Sequence, residues 1–569
     1  MRHMKTKMKT KLAAAVALAG LVAGTAWAET PMADLTWNAD SANGHYPLPE
    51  RFSVVCESDK YDAHATSVML EDDRTIFAFW DLAHGGPCGR AAKSTDAGRT
   101  WTRIDGEMPA ELVQFHDAPV AFRFIDPKTK KSRLRVFAGY LGERPAKDVP
   151  LKNAMPSLMS EDDGRTWKFV EPMGEDFICV ISFFGMERLK DGSYLGVYQR
   201  GPHANGDGSP LQVMSSVSRD GGVTWEKGRL VAVKPGYELC EPAVFYSPDQ
   251  KELCCLIREN SGRHPSQMCF SKDEGRTWSE VRDAPLDMKG HRHVVQKLQD
   301  GRYLVVFRKV DGANPHVYGW IGPYKSIRDG SGKGGVLVKL FHNYGSPWDC
   351  GYQGMHMRKD GEIVITTYAK HRPQGPTPSI ISMHFHPSEV DRQLKEREKA
   401  SKQLAKFAPF AGTDFRPLTR ASLYGPFIAG LAKGGLDRNA AVKAAGKSCS
   451  NAESKTGAYD LAKLCAKKKG AAYVVWTVKA AKAGTARLRV VGAPSAAFGV
   501  NGQAVFPETA GTMFDERTAE VTLRKGDNEI VAFAKDAGGV VAAALDGIDF
   551  TSVKPAVELD LSDDGMEAF

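Results

Sequence analysis

Short strand-like runs of mostly apolar side chains recur along the chain as TIFAFW from Thr75, RLRVFAGY from Arg133, SYLGVYQR from Ser193, ELCCLIR from Glu252, RYLVVFRK from Arg302 and EIVITTYAK from Glu362. Short apolar runs rich in β-branched and aromatic residues and bounded by polar turns read as β-strands. With Ile76, Leu134, Tyr194, Leu253, Tyr303 and Ile363 as phase markers, the runs return at intervals of 58, 60, 59, 50 and 60 residues. Polar turns such as Asp191-Gly192, Asp300-Gly301 and Asp360-Gly361 precede most of them, each with another strand-like run before it. Six units of several antiparallel strands predict an all-β fold, a six-bladed β-propeller over about residues 45–386, in which each sheet packs on the next and closure protects the edges.

A second pattern, S-x-D-x-G-x-T-W, starts at Ser94, Ser160, Ser218 and Ser271 and ends at Trp101, Trp167, Trp225 and Trp278. It suits a hairpin turn: a short Asp side chain accepts bonds from turn amides, Gly takes a positive φ, and Trp re-enters a strand to bury its ring.

Beyond the propeller, a charged run from Glu389 to Lys406 with Val390, Leu394 and Leu404 on an apolar stripe predicts a helical linker over residues 387–414. From residue 415 to 569 the chain turns Ala/Gly/Lys-rich, with alternation in AYVVWTVKAA and ARLRVVGA and an Asn501-Gly502 turn. This part resembles the galactose-binding-like jelly rolls attached to many carbohydrate-active enzymes. The resemblance implies a C-terminal β-sandwich, either carbohydrate-binding or simply stabilising.

Composition narrows the class. With 25% of residues charged and 42% hydrophobic, the chain is neither a disordered polymer nor a multi-pass membrane protein. Its one long apolar stretch, LAAAVALAGLVAG from Leu12, follows Arg2, Lys5, Lys7, Lys9 and Lys11 and precedes Ala26-Trp27-Ala28. Residues 1–28 therefore read as a cleaved secretory signal and not a transmembrane anchor, which places the mature protein in the periplasm, the medium or at the cell surface. Without those five cations the formal charge falls from +8 to +3, so nothing calls for a nucleic-acid partner. Among the ten cysteines, Cys449 with Cys465 is the favoured disulfide and Cys56 with Cys88 the next. No C-x-x-C pair, H-E-x-x-H or EF-hand loop supports a metal site.

Aligning the repeats on their turns brings His64, His116 or Asp117, Ser182 or Phe183, Glu241, Arg292 and Tyr352 to one level at the start of the inner strands. The ends of the second strands add Asp81, Gly139, Gln199, Arg258, Arg308 and Tyr368. So ionisable a set makes a poor apolar core and predicts a polar cleft.

The four Asp motifs resemble the Asp boxes of the Asp-box (BNR-repeat) sialidase superfamily, whose members are six-bladed propellers. Glu241-Pro242, followed by a strand, a turn and Leu-Ile-Arg258, is similar to the sialidase segment that carries the catalytic glutamate and one arginine of the carboxylate clamp. Gly351-Tyr352 before Asp360-Gly361 is similar to the segment with the nucleophilic tyrosine. The resemblance implies Tyr352 as nucleophile, Glu241 as its base, and Arg258, Arg308 and Arg292 holding the substrate carboxylate. A neutral phenol suits an anomeric carbon that bears its own carboxylate, and a planar guanidinium grips a carboxylate with two bonds.

The chain departs from this pattern in its first unit. Where sialidases carry Arg-Ile-Pro, it has Tyr61-Asp62-Ala63-His64-Ala65, leaving Asp62 and His64 to face the substrate. The acid falls to Asp81 or His84 in Asp81-Leu82-Ala83-His84-Gly85-Gly86-Pro87, and Gln353 offers a way to position water for an inverting attack. The implied activity is that of an exo-α-sialidase acting on glycoproteins and mucin-type glycans, with no cofactor. The alternatives are a non-catalytic carbohydrate-binding propeller and a glycosidase or lyase for another acidic sugar.

Overall fold

The computed structural model describes residues 32–36, 50–57, 60–142, 153–177, 182–201, 210–311, 314–344, 350–372, 378–404, 408–427, 435–445, 449–465, 471–492, 496–507, 515–534 and 540–553. The predicted leader at residues 1–28 and Cys179 lie outside them. The protein is nearly all-β, 52% strand against 9% helix, and divides into two compact units, residues 27–391 and 392–569.

Among the described residues, the first unit holds six larger, mainly antiparallel sheets in chain order and one two-stranded pair, Phe115–His116 with Tyr140–Leu141. The first sheet runs Ala63–Met69, Ile76–Asp81, Arg90–Ser94 and Thr102–Arg103, and the second Val120–Ile125, Ser132–Phe137, Ser157–Ser160 and Lys168–Val170. The third begins with Gly185–Arg188 and Tyr194–Arg200, the fourth with Leu239–Tyr246 and Leu253–Glu259, and the fifth with His291–Lys297 and Tyr303–Asp311. The sixth contains Cys350–Met357, Ile363–Ala369 and Ser379–Phe385, and its outer strand is Phe52–Cys56, from before the first sheet. Met32–Asp34 extends the fifth sheet in parallel to Val336–Phe341.

The S-x-D-x-G-x-T-W turns share the bonds of Thr to Asp and of the glycine amide to Ser, and in all but the third, where the Trp225 indole has no partner, the Trp indole also donates to the glycine carbonyl. In the first, Thr100 N–H and Oγ1–H donate to Asp96 at 2.9 and 2.7 Å, Gly98 N–H donates to Ser94 Oγ at 2.8 Å, and the Trp101 indole donates to Gly98 O at 2.9 Å. The glycines take φ of +87° at Gly98, +78° at Gly164, +82° at Gly222 and +79° at Gly275. The tryptophans do not enter strands; half-buried, they lean on the preceding sheet. Trp167 packs edge-on to Phe77 and Phe79 of the first sheet, and Trp225 to Phe124 and Phe137 of the second. A Cβ on Gly164 would meet Phe77, one on Gly222 would meet Phe124, one on Gly275 would meet Leu195, and one on Gly98 would meet Val364 of the sixth sheet. Every such turn thus rests on the sheet before it, and the first rests on the last.

In the second unit, one antiparallel sheet contains Gly484–Gly492, Asp515–Leu523 and Val540–Asp546, and another Arg420–Phe427, Ala471–Ala480, Gly526–Ala534 and Ala496–Val500. Both contribute to a core around Leu423, Trp476, Phe498, Leu488, Val490 and Leu545. The predicted linker forms a helix, Pro387–Leu404; its Glu389 bonds Arg51 at 2.8 Å and its Asp391 takes both Nη atoms of Arg302 at 2.9 and 2.8 Å.

The cysteine pairings are corrected. Cys56, Cys88, Cys449 and Cys465 are all free thiols. Cys449 opens the strand Cys449–Glu453 and packs with Ala440 and Ala445, whereas Cys465 belongs to the main core of its unit, so their closeness in sequence is not closeness in space. Cys88 donates to Asp81 at 2.8 Å and Cys56 lies beside Asp62 at 3.6 Å, different partners that keep the two thiols apart.

Candidate functional site

The first strands of four of the sheets carry a shared irregularity. Pairing slips between Ala63 and Thr66, Cys240 and Ala243, His291 and Val294, and Gly351 and Gly354. At each slip two residues oppose one, and the first of them is left-handed: His64 at φ 46°, Glu241 at 44°, Arg292 at 53° and Tyr352 at 49°, with Asp117 at 60° ahead of the second sheet's first strand. Left-handed backbone is costly for such side chains and gathers where function over-determines it. The third sheet differs: Phe183 is packed among Phe137, Tyr198 and Trp225, and this sheet offers instead the carbonyl of Phe184, which accepts from Arg292 Nη1 at 2.6 Å.

These bulges bring Tyr352, Glu241 and Arg258 together. Tyr352 Oη donates to Glu241 Oε1, which also accepts from Arg258 Nη1 at 2.5 Å. Arg258 Nη2 donates to Asn260 Oδ1 at 2.6 Å, and Asn260 Nδ2 to Glu238 Oε2 at 2.8 Å. Arg308 donates to His291 Nδ1 at 2.7 Å and to Cys350 O at 3.2 Å, and its guanidinium stands 5.7 Å from the Tyr352 ring centroid. Burial opposes the charge on Glu241, but Arg258, the phenol and then Arg308 and Arg292 outweigh it and hold the carboxyl below its ordinary value. Burial and then Glu241 push the Tyr352 phenol upward, so it stays protonated. Glu241 Oε2 and Arg258 Nε are buried without a hydrogen-bond partner, which leaves one acceptor and one donor for a ligand.

The first sheet supplies a histidine pair. His64 Nδ1 lies 2.9 Å from Asp81 Oδ2, and the His64 ring centroid is 4.4 Å from those of Tyr352 and His84. Asp81 is wholly buried; its Oδ2 also accepts from Ala118 N–H at 2.9 Å and its Oδ1 from the Cys88 thiol at 2.8 Å. Burial raises the Asp81 carboxyl to about 8 and lowers the His64 imidazole to about 3, with Arg308 adding to the latter. The surrounding protein, then His64 and Arg308, lower exposed His84 to about 4.

Several sequence-predicted roles are corrected. Asp81 is sealed from any ligand and touches the site only through His64. Asp62 is buried, with Oδ1 accepting from the Trp80 indole at 2.9 Å, so it braces the first sheet. The Gln353 amide donates to Arg292 O at 2.7 Å and Val306 O at 2.8 Å, which ties two sheets together and removes its donors from water positioning. The bulge explains Gln353, which shares the slip with left-handed Tyr352 and faces away from it. Sequence reasoning missed His291, Asn260 and Glu238. Their only signal is adjacency, to Arg292 for His291 and to strand ends near Arg258 and Glu241 for the others.

Among the described residues, no cluster of three or more His, Cys, Asp or Glu could hold a metal ion, and no helix is long and apolar enough to cross a membrane. No curated protein matches the chain. Among solved structures, a protein of unknown function from Dyadobacter fermentans is 17% identical with a TM-score of 0.47, over 59% of this chain and 97% of that one. The NanB sialidase of Streptococcus pneumoniae is 12% identical with a TM-score of 0.40, over 60% and 72%. The intramolecular trans-sialidase of Ruminococcus gnavus is 14% identical with a TM-score of 0.40, over 59% and 97%. The family model of the BNR repeat-like domain matches residues 105–315, which contain three of the S-x-D-x-G-x-T-W turns together with Glu241, Arg258, Arg292 and Arg308. Over that stretch the chain is similar to the BNR repeat-like domain.

Proposed function

We propose that the protein is a glycosidase that hydrolyses a terminal acidic sugar, with α-linked sialic acid as its substrate, at the bulged ends of a six-bladed propeller. The observation that carries this reading is the hydrogen bond from Tyr352 to Glu241, with Arg258, Arg308 and Arg292 grouped around the carboxylate. Glu241 is ionised and can take the phenol proton as Tyr352 Oη attacks the anomeric carbon. The arginines suit a carboxylate on that carbon, and a neutral nucleophile meets no repulsion from it. The cyclic contacts of the turns, each on the preceding sheet and the first on the sixth, support the propeller. The two C-terminal sheets around one core support a β-sandwich, with carbohydrate binding as its role, and the leader-like sequence of residues 1–28 supports a reading in which the enzyme acts outside the cytoplasm.

The test is release of free sialic acid from mucin and from 4-methylumbelliferyl α-sialoside by the mature protein, Tyr352→Phe and Glu241→Gln. The reading requires release by the parent and its collapse in both variants. Release untouched by Tyr352→Phe refutes the assigned nucleophile. Binding of sialylated glycans without release favours the second reading, a carbohydrate-binding propeller, which is suggested by the sealing of Asp81.

A further inference from the structure

The proposed reaction needs a proton for the departing oxygen, and the carboxyls at the bulged end of the first sheet, Asp62 and Asp81, are both buried. We propose that Asp81 and His64 form a proton relay, Asp81 storing the proton and His64 Nε2 delivering it to the leaving oxygen. The proposal rests on the glycosidase reading for its substrate and on the following geometry for itself.

Asp81 Oδ2 reaches His64 Nδ1 at 2.9 Å, and the other contacts of the carboxyl are donors: Ala118 N–H on Oδ2 and the Cys88 thiol on Oδ1. A neutral carboxylic acid satisfies all three, its carbonyl accepting from Cys88 while its hydroxyl accepts from Ala118 and donates to Nδ1. No arginine pairs with it, and the arginines of the site surround Glu241 instead. A fully buried carboxyl with no arginine beside it keeps its proton, burial outweighing the Cys88 and Ala118 hydrogen bonds and nearby His116, in line with the upward shift to about 8. Nδ1 is then the acceptor and Nε2 carries the hydrogen. Nε2 is buried, His64 being 3% exposed, and has no partner. An N–H left unmet in such a place is costly, and a ligand oxygen would satisfy it. The ring stands 4.4 Å from the nucleophile's ring, and the left-handed backbone at φ 46° keeps it there.

The step balances. Tyr352 Oη bonds to the anomeric carbon and passes its proton to Glu241. The glycosidic bond breaks as Nε2–H moves to the leaving oxygen, and the Asp81 hydroxyl proton moves to Nδ1. The products are a glycosyl-tyrosine, an alcohol, protonated Glu241 and ionised Asp81 beside neutral His64. The groups facing the relay are His84, Arg308, Arg292 and Glu241 around His64, and His116 and Cys88 around Asp81.

Two measurements test this. On 3′-sialyllactose, whose leaving group needs a proton, Asp81→Asn and His64→Gln should lower kcat by about 100-fold or more. On 4-methylumbelliferyl α-sialoside, whose leaving group needs little help, the loss should stay under about tenfold, and the basic limb of the parent's pH profile should vanish in Asp81→Asn. Equal losses on both substrates would reduce the pair to a structural role and overturn the relay. Independently, ¹⁵N spectra of histidine-labelled protein, assigned with His64→Gln, should show Nε2 protonated and Nδ1 bare at pH 6.5, with the tautomer exchanging as the pH passes about 8. A proton on Nδ1 at pH 6.5 overturns the proposal whatever the enzyme does. A parent protein that releases no sialic acid from either substrate sinks the sialidase reading alone, and the tautomer still decides where the proton is stored.

Discussion

Tyr352 and Glu241 stand 111 positions apart in the chain, on the sixth and fourth sheets, yet the phenol of one donates its hydrogen to a carboxylate oxygen of the other. The same oxygen takes Arg258 Nη1 at 2.5 Å, so the proton acceptor is also the anchor of the nearest guanidinium. Nucleophile and base serve one step, and residues that act as a unit show non-additive losses. Tyr352→Phe and Glu241→Gln should each lower kcat on 4-methylumbelliferyl α-sialoside by about 100-fold to 10,000-fold, and the double variant should fall no further than the worse single. Steady-state kinetics of the four proteins checks this; multiplying losses would separate the two roles.

Glu241 also sets a pH dependence of stability. Burial raises its pKa, but Arg258, the Tyr352 hydrogen bond, Arg308 and Arg292 lower it further, to below the ordinary 4.5. A carboxyl depressed in the folded state stabilises fully above its unfolded pKa and loses that contribution as the pH falls through the folded one. At pH 7, Glu241→Gln should cost about 3–5 kcal/mol, because it leaves the Arg258 charge buried and unpaired. Urea unfolding at pH 7 and pH 3.5 should show the gap narrowing in acid; a constant gap would mean that Glu241 is not ionised in the folded protein.

The Asp81–His64 pair works in the opposite sense. Asp81, raised to about 8, binds its proton more tightly when folded, so its contribution to stability declines as the pH rises from its unfolded value towards 8. His64, lowered to about 3, contributes stability that grows with pH up to its unfolded value of 6.5. Below 6.5 the two slopes oppose each other, and above it Asp81 acts alone. The melting temperature should therefore decline between pH 6.5 and 8 in the parent and decline less in Asp81→Asn, as read by calorimetry. Parallel curves would place an ionised carboxylate at Asp81 throughout.

The sheets were legible because their signal is local. Ile76, Tyr194, Leu253, Tyr303 and Ile363 each open a second strand, and Leu134 sits near the start of its own, since short apolar runs and the polar turns before them are written in adjacent residues. The level of His64, Glu241, Arg292 and Tyr352 was legible for the same reason: each lies at a fixed distance before a turn. The bulge at that level was not. It reverses the facing of neighbouring residues, which sent Gln353 into the sheets, and nothing in a run of residues announces a left-handed glutamate. The sealing of Asp81 depends on Cys88 and Ala118, and the link of Arg258 to Asn260 and Glu238 on the join between strands; both arise from tertiary packing.

The stacking of each Asp turn on the preceding sheet can be isolated with two glycines. Gly164 and Gly301 both take a left-handed φ, +78° and +86°, so alanine meets the same backbone strain of about 1–2 kcal/mol at either position. Their surroundings differ. A Cβ on Gly164 would collide with Cζ of Phe77, a fully buried ring of the first sheet, whereas one on Gly301 would meet nothing within 4 Å. The ring cannot yield without disturbing Trp167, which packs on it at 5.8 Å. Overpacking of this kind costs about 1–3 kcal/mol beyond the strain. Gly164→Ala should therefore destabilise the protein by about 2 kcal/mol more than Gly301→Ala in urea unfolding. Adding Phe77→Leu to Gly164→Ala should return part of that difference, because the smaller side chain makes room for the methyl group. Equal losses at the two glycines, or no recovery in the double variant, would show that the second sheet's turn does not bear on the first.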